Sequence, residues 1–288
     1  MFGIRAVGHN GASPDAPSML GSECRRLYFE LVGDVQRDSG EPASLDHSFG
    51  DSDPRLEQEY RFDALRENTA IKPGNGGAPL WNIDNGKGLE IIPERHTELL
   101  FNLPPYFVHN YSGPLPIPIG SRNGFGDVTF LGKYRLLSKN EEHGNYILTF
   151  FLGGSIPTGI YKNGSVAAVV TPYVAAGKGW EHFDVQSTLG GGLPVTNQHD
   201  VGHAIAWNAT AQYHALHYFW PELEANSTFW KGGQYDGKKQ VFLTPGLAVG
   251  RIYIHNRVAL TLGSGMQIAV TCYHQYNHAL ILTARLPF

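Results

Sequence analysis

The residues able to do chemistry in this chain are histidines, serines and a large set of charged side chains, and their spacing decides which chemistry is open to them. There are 13 His and two Cys, at Cys24 and Cys272. A hydrolase built on a Ser–His pair needs the serine on a sharp, strained turn; no Gly-x-Ser-x-Gly elbow occurs. His214 with His217, and His274 with His278, approach metal-ligand spacing. Both pairs fall at expected turns, where histidine is an ordinary polar residue, so no metal and no cofactor is expected. The two cysteines lack metal spacing and read as ordinary thiols, with a disulfide between them left open. The chain is therefore not expected to be an enzyme.

The charged residues are more informative because they alternate with apolar ones. In "GDVTFLGKYRLL", Asp127, Thr129, Lys133 and Arg135 share one face, and Val128, Phe130, Tyr134 and Leu136 the other. In "FWPELEANSTFW", Glu222 and Glu224 oppose Phe219, Leu223 and Phe229. In "AIAWNATAQY", Asn208 and Gln212 oppose Ile205, Trp207 and Tyr213. "RVALTLGSGMQIAVT" sets Gln267 among small residues against Val258, Leu260, Leu262, Met266 and Ile268. Asp184, Gln186 and Arg285 fall on the polar face of their own segments. Period-2 alternation of this kind is the mark of β-strands. If the polar faces turn inward around a closed barrel, Asp127, Lys133, Arg135, Asp184, Gln186, Asn208, Gln212, Glu222, Glu224, Gln267 and Arg285 line its lumen. Two roles are open to them: they neutralise one another and stiffen the wall, or Lys133, Arg135, Glu222 and Glu224 line the constriction of a narrow conduit.

The elements that must hold these residues follow from length and composition. The 288 residues carry a net charge of −4, only 17% are charged, 12% are aromatic and 35 are Gly. Low charge with abundant Gly and aromatics suits all-β architecture. Nothing in the charge points to nucleic acid as a partner. No stretch has the roughly 18 apolar residues of a transmembrane helix, so a membrane span must be made of strands. Three features favour a membrane barrel over a soluble sandwich. The segments run about 10–14 residues, whereas soluble strands average about 5–6. Trp180, Phe183, Tyr213, Tyr218, Phe219, Trp220, Phe229, Trp230 and Tyr253 gather near strand ends, as an interfacial girdle would. Long and short breaks alternate, near 271–277, 252–257, 231–238, 215–218, 193–202, 179–182 and 155–167.

The last segment, "HALILTARLPF", places Leu280, Leu282, Ala284, Leu286 and Phe288 on one face and ends on an aromatic. It resembles the insertion signal that the bacterial barrel-assembly machinery reads. The fold expected is all-β: a transmembrane antiparallel up-and-down barrel of about 12 strands, with 10 as the alternative, closed by the strand ending at Phe288. Residues 81–288 form it, and residues 1–80 are an irregular leader able to lend one strand, for which 26–35 is the candidate. The expected place is the bacterial outer membrane, with its lipid as partner. The opening "MFGIRAVGHNGASPDAPSML" lacks the apolar core of a signal peptide, so an export signal is expected upstream of Met1.

With these strands placed, "LPPY" at 103–106, "GFGDVTFLGKYRLL", "VTPYVAAGKGW", "AWNATAQY", "FLTPGLAVGR" and "GSGMQIAVT" resemble the outer-membrane family of the MetA pathway of phenol degradation. The resemblance covers about residues 85–288 and leaves out the first 80. It implies an outer-membrane barrel that admits small hydrophobic or aromatic solutes, and it supplies no catalytic motif. Two other functions stand beside this one: a barrel with a structural or adhesive role, its outer loops the working surface, and a soluble all-β carbohydrate-binding domain.

Overall fold

The computed structural model describes residues 53–68, 80–84, 87–111, 113, 115–139, 143–216, 218–255 and 257–288. Fifteen strands run in chain order: β1 Glu59–Asn68, β2 Leu80–Ile83, β3 Gly88–Glu94, β4 Thr97–Asn102, β5 Tyr106–His109, β6 Gly124–Phe125, β7 Val128–Lys139, β8 Tyr146–Ile156, β9 Val169–Trp180, β10 Phe183–Pro194, β11 His203–Tyr213, β12 Phe219–Lys231, β13 Lys239–His255, β14 Val258–Ala269 and β15 His278–Pro287. Every pairing is antiparallel, and β15 returns to β1 from Asn68↔His278 to Glu59↔Pro287. The result is a closed barrel of 12 strands. The pairing of β15 with β1 closes the long edges of the sheet, which lipid could not satisfy.

Three of the twelve strands are broken. β2 and β3 both pair with β1, β5 continues β4, and β6 continues β7. Pro104 and Pro105 fall in the gap between β4 and β5, where two missing N–H donors interrupt the ladder. The twelfth strand, β1, lies inside the first 80 residues, but at 59–68. The candidate at 26–35 lies outside the described residues. Its sequence, "EYRFDALREN", reads as a charged irregular stretch until Glu59, Arg61 and Asp63 are set on one face and Tyr60, Phe62 and Ala64 on the other. β13 likewise runs further than its expected end, to His255, through register shifts between Val249 and His255 and a positive φ of 53° at Arg251.

Side chains are sorted opposite to those of a soluble sandwich. Leu282, Leu262, Leu223, Val174, Phe150 and Tyr134 are exposed on the outer wall, whereas Asp63, Glu98, Thr149, Asp184, Gln212 and Glu224 are buried inside. An exposed apolar belt around a polar interior is what hydrocarbon, and not water, would select. Leu280, Leu282, Ala284 and Leu286 all sit on the outer face of β15, beside β1. Trp180, Phe183, Tyr213, Tyr218 and Phe219 are exposed near the end of the barrel that holds Glu59 and Pro287. One residue expected in the girdles is elsewhere. Trp220 is buried on the inner face, stacked on His214 at 5.0 Å, because it shares the parity of Glu222 and Glu224. Trp230 packs against Tyr235 and Tyr273 of the loops at the opposite mouth.

Candidate functional site

The lumen is filled from the segment just before β1. Residues 53–58 lie inside the barrel, with Asp53, Pro54 and Leu56 buried. Asp53 Oδ1 accepts from the Arg55 amide at 2.9 Å, a local turn that bends the chain inward. The wall then takes up the segment's backbone. Thr149 Oγ1 donates to the Pro54 carbonyl, Lys133 Nζ donates to the Arg55 carbonyl at 3.3 Å, and the Glu57 amide donates to Glu98 Oε2 at 2.5 Å. Gly177 leaves the room, since a Cβ there would meet Pro54 Cγ at 3.0 Å and Ile147 Cγ2 at 3.1 Å. Phe288 donates its amide to the Gln58 carbonyl at 3.1 Å, so the last residue is fastened to the first strand's entry.

Around this segment the charges interlock. Lys133 Nζ lies 2.8 Å from Glu98 and 3.7 Å from Glu90. Arg285 lies 3.5 Å from Glu57 and 3.8 Å from Glu59. Arg61 meets Asp63 through two bonds, of 2.9 and 3.1 Å. Burial pushes the Asp53 carboxyl up, while Lys133, the Arg55 amide and Arg285 pull it back. The space left among Asp53, Glu57, Arg61, Glu90, Lys133 and Arg285 is about 10 Å³, no more than the room for one water. Ligand atoms of Glu57, Glu59 and Glu90 lie within 4.8 Å of one another, a spacing that fits a metal. Arg285 and Lys133 already place positive charge on these carboxylates, so a cation has little to gain there.

Of the residues singled out from the sequence, Lys133 and Arg285 belong to this cluster. Arg135 donates to the Arg95 carbonyl at 3.0 Å, and Gln212 Nε2 donates to Glu222 Oε2 at 2.6 Å. Asp184, Gln186 and Glu224 are buried on the inner faces of β10 and β12. Asn208 and Gln267 join a different set, described below. Asp127 departs from the expected role. It has the inward parity, but its two oxygens accept from the Gly159 and Ser165 amides at 2.9 and 2.6 Å. It thus fastens the loop 157–168 at the mouth, and does not line an open lumen. His217 lies outside the described residues. His274 bonds to the Thr271 carbonyl and Asn277, and His278 to Asn68, so that pair serves its own loop.

The other half of the lumen is apolar along one side. Leu65, Phe242, Ala279 and Ile281 face inward from β1, β13 and β15, and Tyr276 from the loop 270–277 packs into them. The Tyr276 ring stacks on Phe242, centroids 4.6 Å apart and planes at 15°. Its hydroxyl donates to Gln267 Oε1 at 2.5 Å. Gln267 Nε2 donates to Asn226 Oδ1 at 3.0 Å, and Asn226 Nδ2 to Asn208 Oδ1 at 3.3 Å. Burial holds the Tyr276 hydroxyl protonated, well above the usual phenol range. Sequence reasoning missed Tyr276, Phe242 and the segment 53–58. Phe242 and Ile281 did carry a signal: each is a large apolar residue on a face of mostly polar or small ones.

A family model described as "Putative MetA-pathway of phenol degradation" matches residues 96–269. The chain belongs to this family. Members of the phenol-degradation family are thereby its relatives, and the β-barrel is of the outer-membrane type. An outer membrane channel from Pseudomonas putida F1, known from a crystal structure, is similar over 84% of this chain and 100% of its own, at 16% identity and a TM-score of 0.57. That likeness speaks to the fold. The transport unit of the autotransporter AIDA-I from Escherichia coli is similar over 91% of this chain and 97% of its own, at 12% identity and a TM-score of 0.40, too distant to add to the argument. No curated protein of matching sequence was found.

Proposed function

We propose that this barrel resides in the bacterial outer membrane and admits or binds small hydrophobic or aromatic solutes, with no enzymatic step. The observation that carries this reading is the contiguous apolar cluster of Leu65, Phe242, Ala279 and Ile281 inside a barrel whose interior elsewhere mixes buried charges with single apolar side chains such as Phe151 and Trp220. A polar-lined pore for water-borne solutes has no use for such a patch, and residues 53–58 already occupy part of the charged half. Kinship with the phenol-degradation family and the channel-like fold support it. In this reading Lys133 and Arg135 on β7, and Glu222 and Glu224 on β12, line the constriction from nearly opposite walls. The barrel-assembly machinery is the partner in biogenesis, reading the strand that ends at Phe288; deleting Phe288 lowers the fraction of chains that migrate as heat-modifiable barrel.

Uptake measured in a deletion strain tests the function. The expected result is slower uptake of dilute aromatic solutes without the protein, restored by the gene, and only small ionic currents through the purified barrel. Unchanged aromatic uptake, together with large open-channel steps, would overturn it. A second reading, adhesion, is favoured by an open groove of about 1020 Å³ between the loops around Gln198–His203 and Lys231–Asp236. Loss of surface attachment in the deletion strain, with uptake intact, would favour it instead.

A further inference from the structure

Tyr276 is the only side chain of the loop 270–277 in the apolar cluster, and that side chain is itself a phenol. Its surroundings are those a phenol-binding site would need. One ring face is covered by Phe242, and Leu65, Ala279 and Ile281 complete the apolar surround. One polar atom, Gln267 Oε1, meets the hydroxyl. The neighbouring amides favour that orientation: Gln267 Nε2 donates to Asn226 Oδ1, and Asn226 Nδ2 donates in turn to Asn208 Oδ1. The site therefore offers an acceptor and asks for a donor, and a buried acceptor left unmet is costly.

The loop is also held by bonds of its own, by Tyr273 packed among Trp230, Tyr235 and Lys238, and by the Val270 amide donating to the Val241 carbonyl at 2.9 Å, so displacing Tyr276 frees its side chain and the segment next to it first. The Val241 amide donates to Thr271 Oγ1 at 3.0 Å, the Gln275 amide to Gln240 Oε1 at 2.8 Å, and the Asn277 amide to the Asn68 carbonyl at 3.0 Å. Within the cluster Tyr276 alone comes from a loop; the other members stand on β1, β13 and β15.

We infer that Tyr276 is a built-in occupant of a phenol-binding site on the barrel wall, and that a free monohydroxylated aromatic displaces it and releases the loop 270–277. The inference rests on the proposed admission of aromatic solutes and narrows it to hydroxyl donors, with Phe242 as stacking surface and Gln267 as the residue that selects for the hydroxyl. A phenol satisfies Gln267 Oε1, whereas an anisole of the same shape leaves it bare. The lost hydrogen bond and the bare buried acceptor together set an expected preference of about tenfold for the phenol.

The test uses the full chain refolded in lipid nanodiscs, with 4-fluorophenol and 4-fluoroanisole followed by fluorine NMR. In Tyr276→Ala the occupant is gone, so 4-fluorophenol binds about tenfold more tightly than to the unaltered protein, and about tenfold more tightly than 4-fluoroanisole. Adding Gln267→Met removes that preference and leaves anisole binding unchanged. A second measurement needs no change at the site: a spin label on Cys272, which is exposed on this loop, in a Cys24→Ser background. Its mobility rises with 4-fluorophenol and stays level with 4-fluoroanisole. Equal binding of the two probes to Tyr276→Ala, no gain over the unaltered protein, or a label that ignores phenol would overturn the inference. Aromatic uptake that persists while these binding gains are missing sinks the site and spares the transport reading. Binding gains with no uptake defect in the deletion strain do the reverse.

Discussion

Removing the positive charge of Lys133 tests whether the charged half of the lumen is dry. Its ammonium sits 2.8 Å from Glu98 and 3.7 Å from Glu90, and all three side chains are buried. At an effective dielectric constant of about 20, attractions at those distances are about 6 and about 4 kcal/mol before desolvation is subtracted. Desolvation consumes most of that gain, so the pair as a whole adds little net stability. Taking away one member is different, because it strands two carboxylates in a space with room for one water. Lys133→Met is expected to cost about 3–5 kcal/mol. Adding Glu98→Gln removes the stranded charge while keeping an acceptor for the Glu57 amide, bonded at 2.5 Å. The double variant should recover more than half of the loss, a coupling of about 2 kcal/mol or more. The assay is equilibrium unfolding in urea from lipid vesicles, followed by tryptophan fluorescence. A cost below about 1 kcal/mol for Lys133→Met, typical of exposed pairs, would show that water reaches these charges and would refute the dry-lumen reasoning.

Three further outcomes are expected. Asp127→Ala should release the loop 157–168, seen as faster tryptic cleavage at Lys162 while the barrel's unfolding midpoint stays nearly constant, because the two lost bonds hold only that loop. Leu282→Arg places a charge on the outer wall at the middle of β15, which should cost about 2–4 kcal/mol in lipid-based unfolding; a neutral result would mean that this wall does not face hydrocarbon. Gly177→Val should push Pro54 and Ile147 apart and raise ionic current through the purified barrel, since a Cβ at that position already touches both.

The strand pattern was written plainly in the sequence. Alternation in "GDVTFLGKYRLL" and "RVALTLGSGMQIAVT" determined the strands, their inner and outer faces and the closing strand at Phe288, because a pleated strand turns successive side chains to opposite sides whatever surrounds it. The family likeness rested on the same segments and is shown by the match to residues 96–269. β1 was harder to read, since Glu59, Arg61 and Asp63 mimic a polar loop until the barrel gives them an interior to face.

What only the tertiary structure decided is the content of that interior. Periodicity assigns a side chain to the lumen but says nothing of what else enters it. The segment 53–58 and Tyr276 come from outside the strands and have no repeat to betray them. Their places depend on distant partners: Thr149, Lys133 and Glu98 for the one, Phe242 and Gln267 for the other. Such contacts form only once the closed barrel has brought β4, β7 and β8 around the segment before β1, and β1, β13 and β15 around Tyr276, and so the sequence set the wall while the closed barrel determined what enters it.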